Sequence, residues 1–181
     1  MVRRFRIPPF RQEQCVRYRQ GIDKRNCILA YLLLEQGLRE QYGITTPVSF
    51  VYNEHCKPYL REYPNIFFNI SHCKYAVACA LADFEVGVDI QDIRPIDWDV
   101  ARRVCSENEL RELEKADDPA RLFCKIWTEK EAYAKAKGLG VDSVLRRDLS
   151  LNGLTHWERE RYCITVCCEG SKNEIIAVRF R

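Results

Sequence analysis

The stretch "VGVDIQ", Val86–Gln91, reads as a β-strand with a carboxylate set inside it. Side chains alternate along a strand. Val86, Val88, Ile90 and Asp92 therefore point one way, and Gly87, Asp89, Gln91 and Ile93 the other. Asp89 and Gln91 are neighbours on one face. Gly87 leaves that face bare beside them, making room for a ligand or another backbone. A strand-end aspartate accepting backbone hydrogen bonds would also account for Asp89.

Elements can be read outward from this strand. Upstream, "NCILAYLLLEQGLREQYG" predicts a helix from Asn26 that Gly43 ends. "VSFVYNEHCKPYL" predicts a strand and a turn near Lys57-Pro58, and "IFFNISH" and "KYAVACALA" are short β-rich runs joined to "VGVDIQ" by a tight turn at "ADFE". Downstream, "WDVARRVC" and "SENELRELEKA" are helical, with Ser106 and Glu109 at capping-box spacing. "DDPARLFCKIWTEKEAYAKAKG" is a longer helix, with Asp118 at its N-cap, Pro119 in its first turn and Gly138 at its end. "RYCITVCCEG" and "NEIIAVRFR" predict a closing hairpin. Helices plus hairpins in each half predict an α+β class, divided into residues 1–85 and 86–181.

Composition bounds what such a chain can do. Its 181 residues are 46% hydrophobic, enough for one domain or two small halves sharing a core. No apolar run is long enough for a membrane span, and the basic start "MVRRFRIPPFRQEQ" lacks the apolar core of a secretory signal, so no membrane partner and a cytoplasmic location are expected. The net charge is only +3, but arginines and lysines crowd the first residues. That patch suits a polyanion: nucleic acid, a phosphorylated cofactor or an acidic protein. The ten cysteines form no CxxC pair and read as reduced, buried small hydrophobes rather than zinc ligands.

The long helix offers Asp89 a partner. A helical projection puts Phe123, Ile126, Trp127 and Ala134 on the core-facing arc. Lys130 and Glu131 fall within or beside that arc, Lys135 at its edge, and Lys125, Glu129 and Ala136 toward water. A lysine can extend its amine to the surface. Glu131 is shorter and needs a partner: Lys135 one turn on, a metal ion, or both. If Asp89 and Glu131 share an ion, oxygen ligands completed by water and substrate phosphate are the magnesium arrangement. Ser71 and His72 in "FNISH" are adjacent on opposite strand faces and so do not form a Ser–His nucleophile pair.

"GVDI" followed by "WTEKEAYAK" resembles the paired signature of the 4′-phosphopantetheinyl transferases. "KPYLREYPNIFFNISH" and "KRNCILAYLLL" are similar to further segments of that family, in the same order. Length and layout resemble its surfactin-type (Sfp-type) single-chain branch. The resemblance implies a pseudo-dimer of two similar α/β halves acting as a monomer, with a nucleotide side at 1–85 and a metal site and carrier docking at 86–181. It implies transfer of the 4′-phosphopantetheine arm of coenzyme A to a serine of an apo acyl or peptidyl carrier protein, releasing adenosine 3′,5′-bisphosphate. The carrier would serve fatty acid, polyketide or nonribosomal peptide synthesis, and nucleic acid would not be a partner. By the same resemblance Asp89 and Glu131 would hold Mg2+, with Gln91, which replaces a frequent glutamate, as a weaker third ligand. Glu131, Lys135 and Lys130 would act in catalysis. Arg11, Lys24, Arg25, Lys57, Ser71, His72, Asp89, Lys130 and Lys135 would bind the coenzyme. Asn26 and Gln14 stand where relatives often carry basic residues. Arg94, Trp98, Arg102 and Arg103 would meet the carrier. The alternative is a non-catalytic nucleotide- or nucleic-acid-binding module using the basic N-terminus, which gives Asp89 and Glu131 no role.

Overall fold

A computed structural model describes residues 21–149, 153–168 and 177–180. Among the described residues, four α-helices and eight short strands form a mixed α/β fold. Helix α1 (Gly21–Tyr42) leads into a small ribbon of β1 (Phe50–Tyr52) and β2 (Pro58–Leu60). Strands β3 (Phe67–His72), β4 (Val77–Ala82) and β5 (Val86–Asp92) follow. Next come α2 (Trp98–Val104), α3 (Glu107–Lys115) and α4 (Pro119–Lys137). Strands β6 (Leu154–Glu158), β7 (Tyr162–Cys168) and β8 (Ala177–Phe180) complete the described chain. The larger sheets run β3-β4-β8 and β5-β7-β6, all pairs antiparallel.

Alternation in β4 sets the layering. Val77, Cys79 and Leu81 pack on α1 with Ala30, Leu34, Leu38 and Phe68. Ala78, Ala80 and Ala82 turn to the second sheet and meet Val86, Val88, Ile90, Ile164 and Val166. The alanines let the sheets approach closely. Each of Val88 and Ile90, buried completely, contributes about 2 kcal/mol of apolar transfer. On its other face β5 carries α4, so the central strands are covered on both sides.

The caps follow the sequence. Ser106 and Glu109 form a reciprocal capping box. Asp118 caps α4, Pro119 opens it, and Gly138 closes it in the left-handed region at φ 64°. Helix α1 already includes residues 21–25, upstream of the expected Asn26, from the first described residue onward. The closing hairpin is not formed. Strand β7 pairs with β5 and β6, whereas β8 crosses to β4. The β5–β7 and β4–β8 pairings join strands distant in sequence, while β7 forms its hairpin with the preceding β6, in "LTHWE", which does not alternate cleanly. The cysteines described are unbridged and all buried except Cys56, which occupies a turn at φ 62°.

The projection of α4 needs the largest correction. Ala136 and Glu129, assigned to the water side, are buried, and Ala132 with Ala136 forms the contact to the sheet. The arc around Ile126, Phe123 and Trp127 instead packs on α2 and α3. The helix is enclosed on both sides, so a single apolar arc does not describe it. Small residues face the sheet, where the backbones come closest.

Candidate metal and phosphate site

Gly87 fixes the distance between β5 and α4. A Cβ there would lie 2.0 Å from the Ala132 carbonyl oxygen and 2.4 Å from the Ala136 nitrogen. The space that glycine leaves is filled by another backbone, one of the two possibilities the sequence left open. One alternation further along the same face stands Asp89, only 5% exposed. The helix passing over Gly87 therefore carries Glu131 and Lys135 to Asp89.

The carboxylate of Asp89 is half engaged. Its Oδ1 accepts from Ser71 Oγ at 2.9 Å and from Lys135 Nζ at 2.5 Å. Its Oδ2 is buried with no hydrogen-bond partner among the described residues. Lys135 Nζ also lies 3.7 Å from Glu131 Oε2, so one ammonium bridges two carboxylates from different elements. Burial raises the Glu131 carboxyl above the ordinary carboxylate range; Lys135 pulls it back down and the Asp89 charge pushes it up again. The edge of β5 is held by Asn69, whose buried Oδ1 accepts from Val88 N–H at 2.9 Å. This brings β3, and with it Ser71, alongside Asp89.

An orphaned buried carboxylate oxygen beside a second carboxylate of raised pKa suits a hard divalent cation. The donors are all oxygen, as magnesium requires, and too few to saturate it, leaving positions for water and substrate phosphate. No cluster of three or more His, Cys, Asp or Glu side chains fit to hold a metal occurs among the described residues. Gln91 lies two residues beyond Asp89, half-buried, and lines a cleft of about 320 Å³ with Arg94, Val100, Phe123, Cys124 and Trp127. The Cys124 thiol donates to the Gln91 carbonyl at 3.3 Å.

Other candidates are placed elsewhere. Lys130 is 1% exposed; its Nζ donates to the Arg147 carbonyl at 2.6 Å and pairs with Glu109 at 3.0 Å. Its partners thus come from α3 and from the segment after α4. Lys57 is buried and donates to the Ala136 carbonyl at 2.7 Å while pairing with Glu85. Burial lowers its pKa and Glu85 restores part of the loss. With Asn53 Nδ2 donating to the Gly138 carbonyl at 2.9 Å, Lys57 holds the C-terminal end of α4. His72 ends β3 opposite Val77. Lys24 and Arg25 are exposed on the first turns of α1, while Asn26 is buried and donates to the Cys73 carbonyl at 2.8 Å. Arg11 and Gln14 lie outside the described residues. Arg94, Arg102 and Arg103 are exposed, with Arg94 paired to Asp92 and Arg102 to Asp99.

The sequence reading missed two supports. Asn69 sat in the quoted "FNISH" as a polar residue in an apolar run, which is a usable signal for a buried bond. Glu109 was read only as a cap, although a lysine on a buried arc demands a carboxylate.

Comparison with known proteins identifies the family. The sequence model of the 4'-phosphopantetheinyl transferase superfamily matches residues 85–180, which include Asp89, Gln91, Glu131 and Lys135. The chain is similar to the 4'-phosphopantetheinyl transferase Sfp of Bacillus subtilis, at 30% identity over 138 residues, 75% of this chain and 62% of that protein. It is 34% identical over 128 residues to psf-1 of Bacillus pumilus, covering 69% of this chain and 55% of that one. With the transferase AcpT of Salmonella typhi it shares 36% identity over 146 residues, 74% of this chain and 72% of the relative. The chain spans about six-tenths of the length of the Bacillus relatives it matches. From the matched residues and the shared motifs, this chain belongs to the 4'-phosphopantetheinyl transferase superfamily.

Proposed function

We propose that this protein transfers the 4′-phosphopantetheine group of coenzyme A to a serine hydroxyl of an apo carrier protein, releasing adenosine 3′,5′-bisphosphate. One observation carries the reading: Asp89 on β5, with a buried orphaned oxygen, converges with Glu131 and Lys135 on α4. Asp89 and Glu131 would hold Mg2+, which when bound offsets the charge of the pyrophosphate.

The residues have separable tasks. Lys135 already spans the two carboxylates, and its ammonium can follow negative charge developing on the phosphate oxygens. The attacking serine must lose a proton. Glu131 is the carboxylate placed to accept it; burial alone raises its pKa, and a bound cation would lower it again. Ser71 holds Asp89 Oδ1 and so leaves Oδ2 turned elsewhere. Lys57 acts through the end of α4 rather than on phosphate, and Lys130 stiffens the far side of the helix. Exposed Lys24 and Arg25 remain for the coenzyme phosphates, with Arg11, His72 and Gln91 as further contacts.

The carrier would approach beside the cleft by Gln91, which Arg94 lines together with Asp92, Asp97, Phe123 and Trp127, through the exposed Arg102 and Arg103 and the half-buried Trp98 of the adjoining α2. A helix on an antiparallel sheet occurs twice, α1 on β3-β4 and α4 on β5-β7, which supports a pseudo-dimer of halves at 1–85 and 86–181. Strand β8 then ties the second half back to the first. A monomer acting in the cytoplasm is part of the same reading. No described helix is long and apolar enough to cross a membrane.

The test incubates the protein with coenzyme A, MgCl2 and a panel of apo acyl and peptidyl carriers, and reads carrier mass. A gain of one phosphopantetheine group on at least one carrier, lost on chelation, is expected. No gain on any carrier overturns the reading. The rival nucleic-acid module predicts oligonucleotide binding that ignores Asp89→Ala.

A further inference from the structure

Asp89 and Glu131 come from different elements, so something must hold β5 and α4 in register as well as in contact. Gly87 sets how close they come but makes no directional bond. Besides the Lys135–Asp89 pair and the Cys124 thiol on the Gln91 carbonyl, a wholly buried directional bond lies one strand over. In the β5-β7-β6 sheet, Asp89, Thr165 and His156 stand in one row across the strands. Thr165 is wholly buried, and its Oγ1 lies 2.8 Å from Thr128 Oγ1 on α4. The same oxygen lies 2.8 Å from His156 Nδ1. Thr128, also wholly buried, donates to the Lys125 carbonyl at 3.0 Å.

Thr128 precedes Glu131 by three residues and Lys135 by seven, so all three lie on neighbouring turns of one side of α4. Thr165 is the cross-strand neighbour of Asp89 on the same sheet face. The Thr128–Thr165 bond thus joins the helix that carries Glu131 to the row that carries Asp89. With Thr128 donating to Lys125, its one proton is committed, so Thr165 donates to Thr128 and accepts from His156. Both threonine hydroxyls then donate and accept, while His156 Nε2 makes no hydrogen bond among the described residues and lies 3.5 Å from Glu158 Oε1. In a dry interface a misaligned bond of this kind is costly, which makes it a register pin rather than filler.

We propose that Thr165 is a positioning residue for the metal site, fixing α4 against β5 through Thr128 so that Asp89 and Glu131 address one cation; this rests on the function proposed above. The threonine hydroxyls bond to Lys125, to each other and to His156 rather than to either carboxylate. Supports of this kind typically change metal affinity by about tenfold when removed.

The experiment measures Mn2+ binding by the electron paramagnetic resonance signal of free Mn2+, in the presence of coenzyme A, for wild type, Asp89→Ala, Thr165→Val, Thr165→Ser and Thr128→Val. Thermal unfolding is recorded for each. The expected result is Mn2+ affinity about tenfold weaker in Thr165→Val and Thr128→Val, with Thr165→Ser within twofold of wild type. Wild-type affinity in Thr165→Val overturns the proposal. Equal weakening in Thr165→Ser also overturns it, since the hydroxyl would then not be the cause. If Thr165→Val does not fold, Thr128→Val decides by the same thresholds. Asp89→Ala separates the layers: loss of Mn2+ there with none in the threonine variants sinks only this inference. Retention of Mn2+ in Asp89→Ala sinks the metal reading itself.

Discussion

Lys130 and Lys135 stand five residues apart on one helix, and both were expected in the same anionic site. The structure gives them opposite surroundings. Lys130 is sealed at 1% exposure between Glu109 and the Arg147 carbonyl. Lys135 is about a third exposed and bridges Asp89 and Glu131, with one oxygen of Asp89 still unmet. On one side of α4 the Lys130 charge is satisfied internally. On the other the carboxylates exceed the cations. A saturated buried ion pair fixes geometry, whereas an unsaturated one keeps capacity for a ligand.

The sharpest way to break this contrast is at the unsaturated side. Asp89→Ala should lower carrier modification roughly a thousandfold while the far-ultraviolet circular dichroism stays unchanged. Transfer persisting near wild-type rate would remove the site from α4. Lys135→Ala should cost roughly a hundredfold in turnover with little change in unfolding temperature. Lys130→Ala should show the reverse, losing about 3 kcal/mol of stability in chemical denaturation because Glu109 is left partly buried and unpaired. The folded fraction should retain its turnover. If Lys130→Ala were inactive yet fully stable, the two lysines would share one role after all.

A smaller effect concerns Glu131. Its folded pKa lies above its unfolded value, so the folded state holds the proton more tightly. The associated stability is full below the unfolded pKa and is lost as pH rises through the folded one. Glu131→Gln should therefore unfold at a higher temperature than wild type at neutral pH, with a flatter dependence on pH above the ordinary glutamate pKa, while transfer is lost. An unfolding profile parallel to wild type would mean that burial is not straining this carboxylate. The least change is expected from Gln91→Glu. Adding a charge beside Asp89 should leave the half-saturating Mg2+ concentration the same or lower it. A large loss of activity would give the Gln91 amide another task.

Much of this was legible in residue order. Strand alternation gave the face shared by Gly87, Asp89 and Gln91, and short-range chemistry gave the Ser106–Glu109 box and the Asp118, Pro119 and Gly138 boundaries of α4. These features depend on contacts within a few residues. Family motifs singled out Asp89, Glu131 and Lys135 before any geometry was known. What failed were statements about which faces meet. The water side of α4 proved to be its sheet side, because Gly87 admits Ala132 and Ala136 at backbone distance and a wheel weighted by side-chain size discounts alanines. Nor could residue order show that Lys57 and Lys130, expected at the coenzyme, each pair with a carboxylate from another element, Glu85 and Glu109.

Sequence by itself determined the elements, their caps and the residue types of the site, because those follow from local backbone preference and from side-chain chemistry. Tertiary structure decided which lysine joins Asp89, which strand receives β8, and which oxygen of Asp89 is left without a donor. Those outcomes depend on pairings between distant residues, where a shift of one turn of α4 or one residue of β5 would exchange the partners. The register held by Gly87 and the packing around Thr128 and Thr165 selects one arrangement among several that the same residues could form.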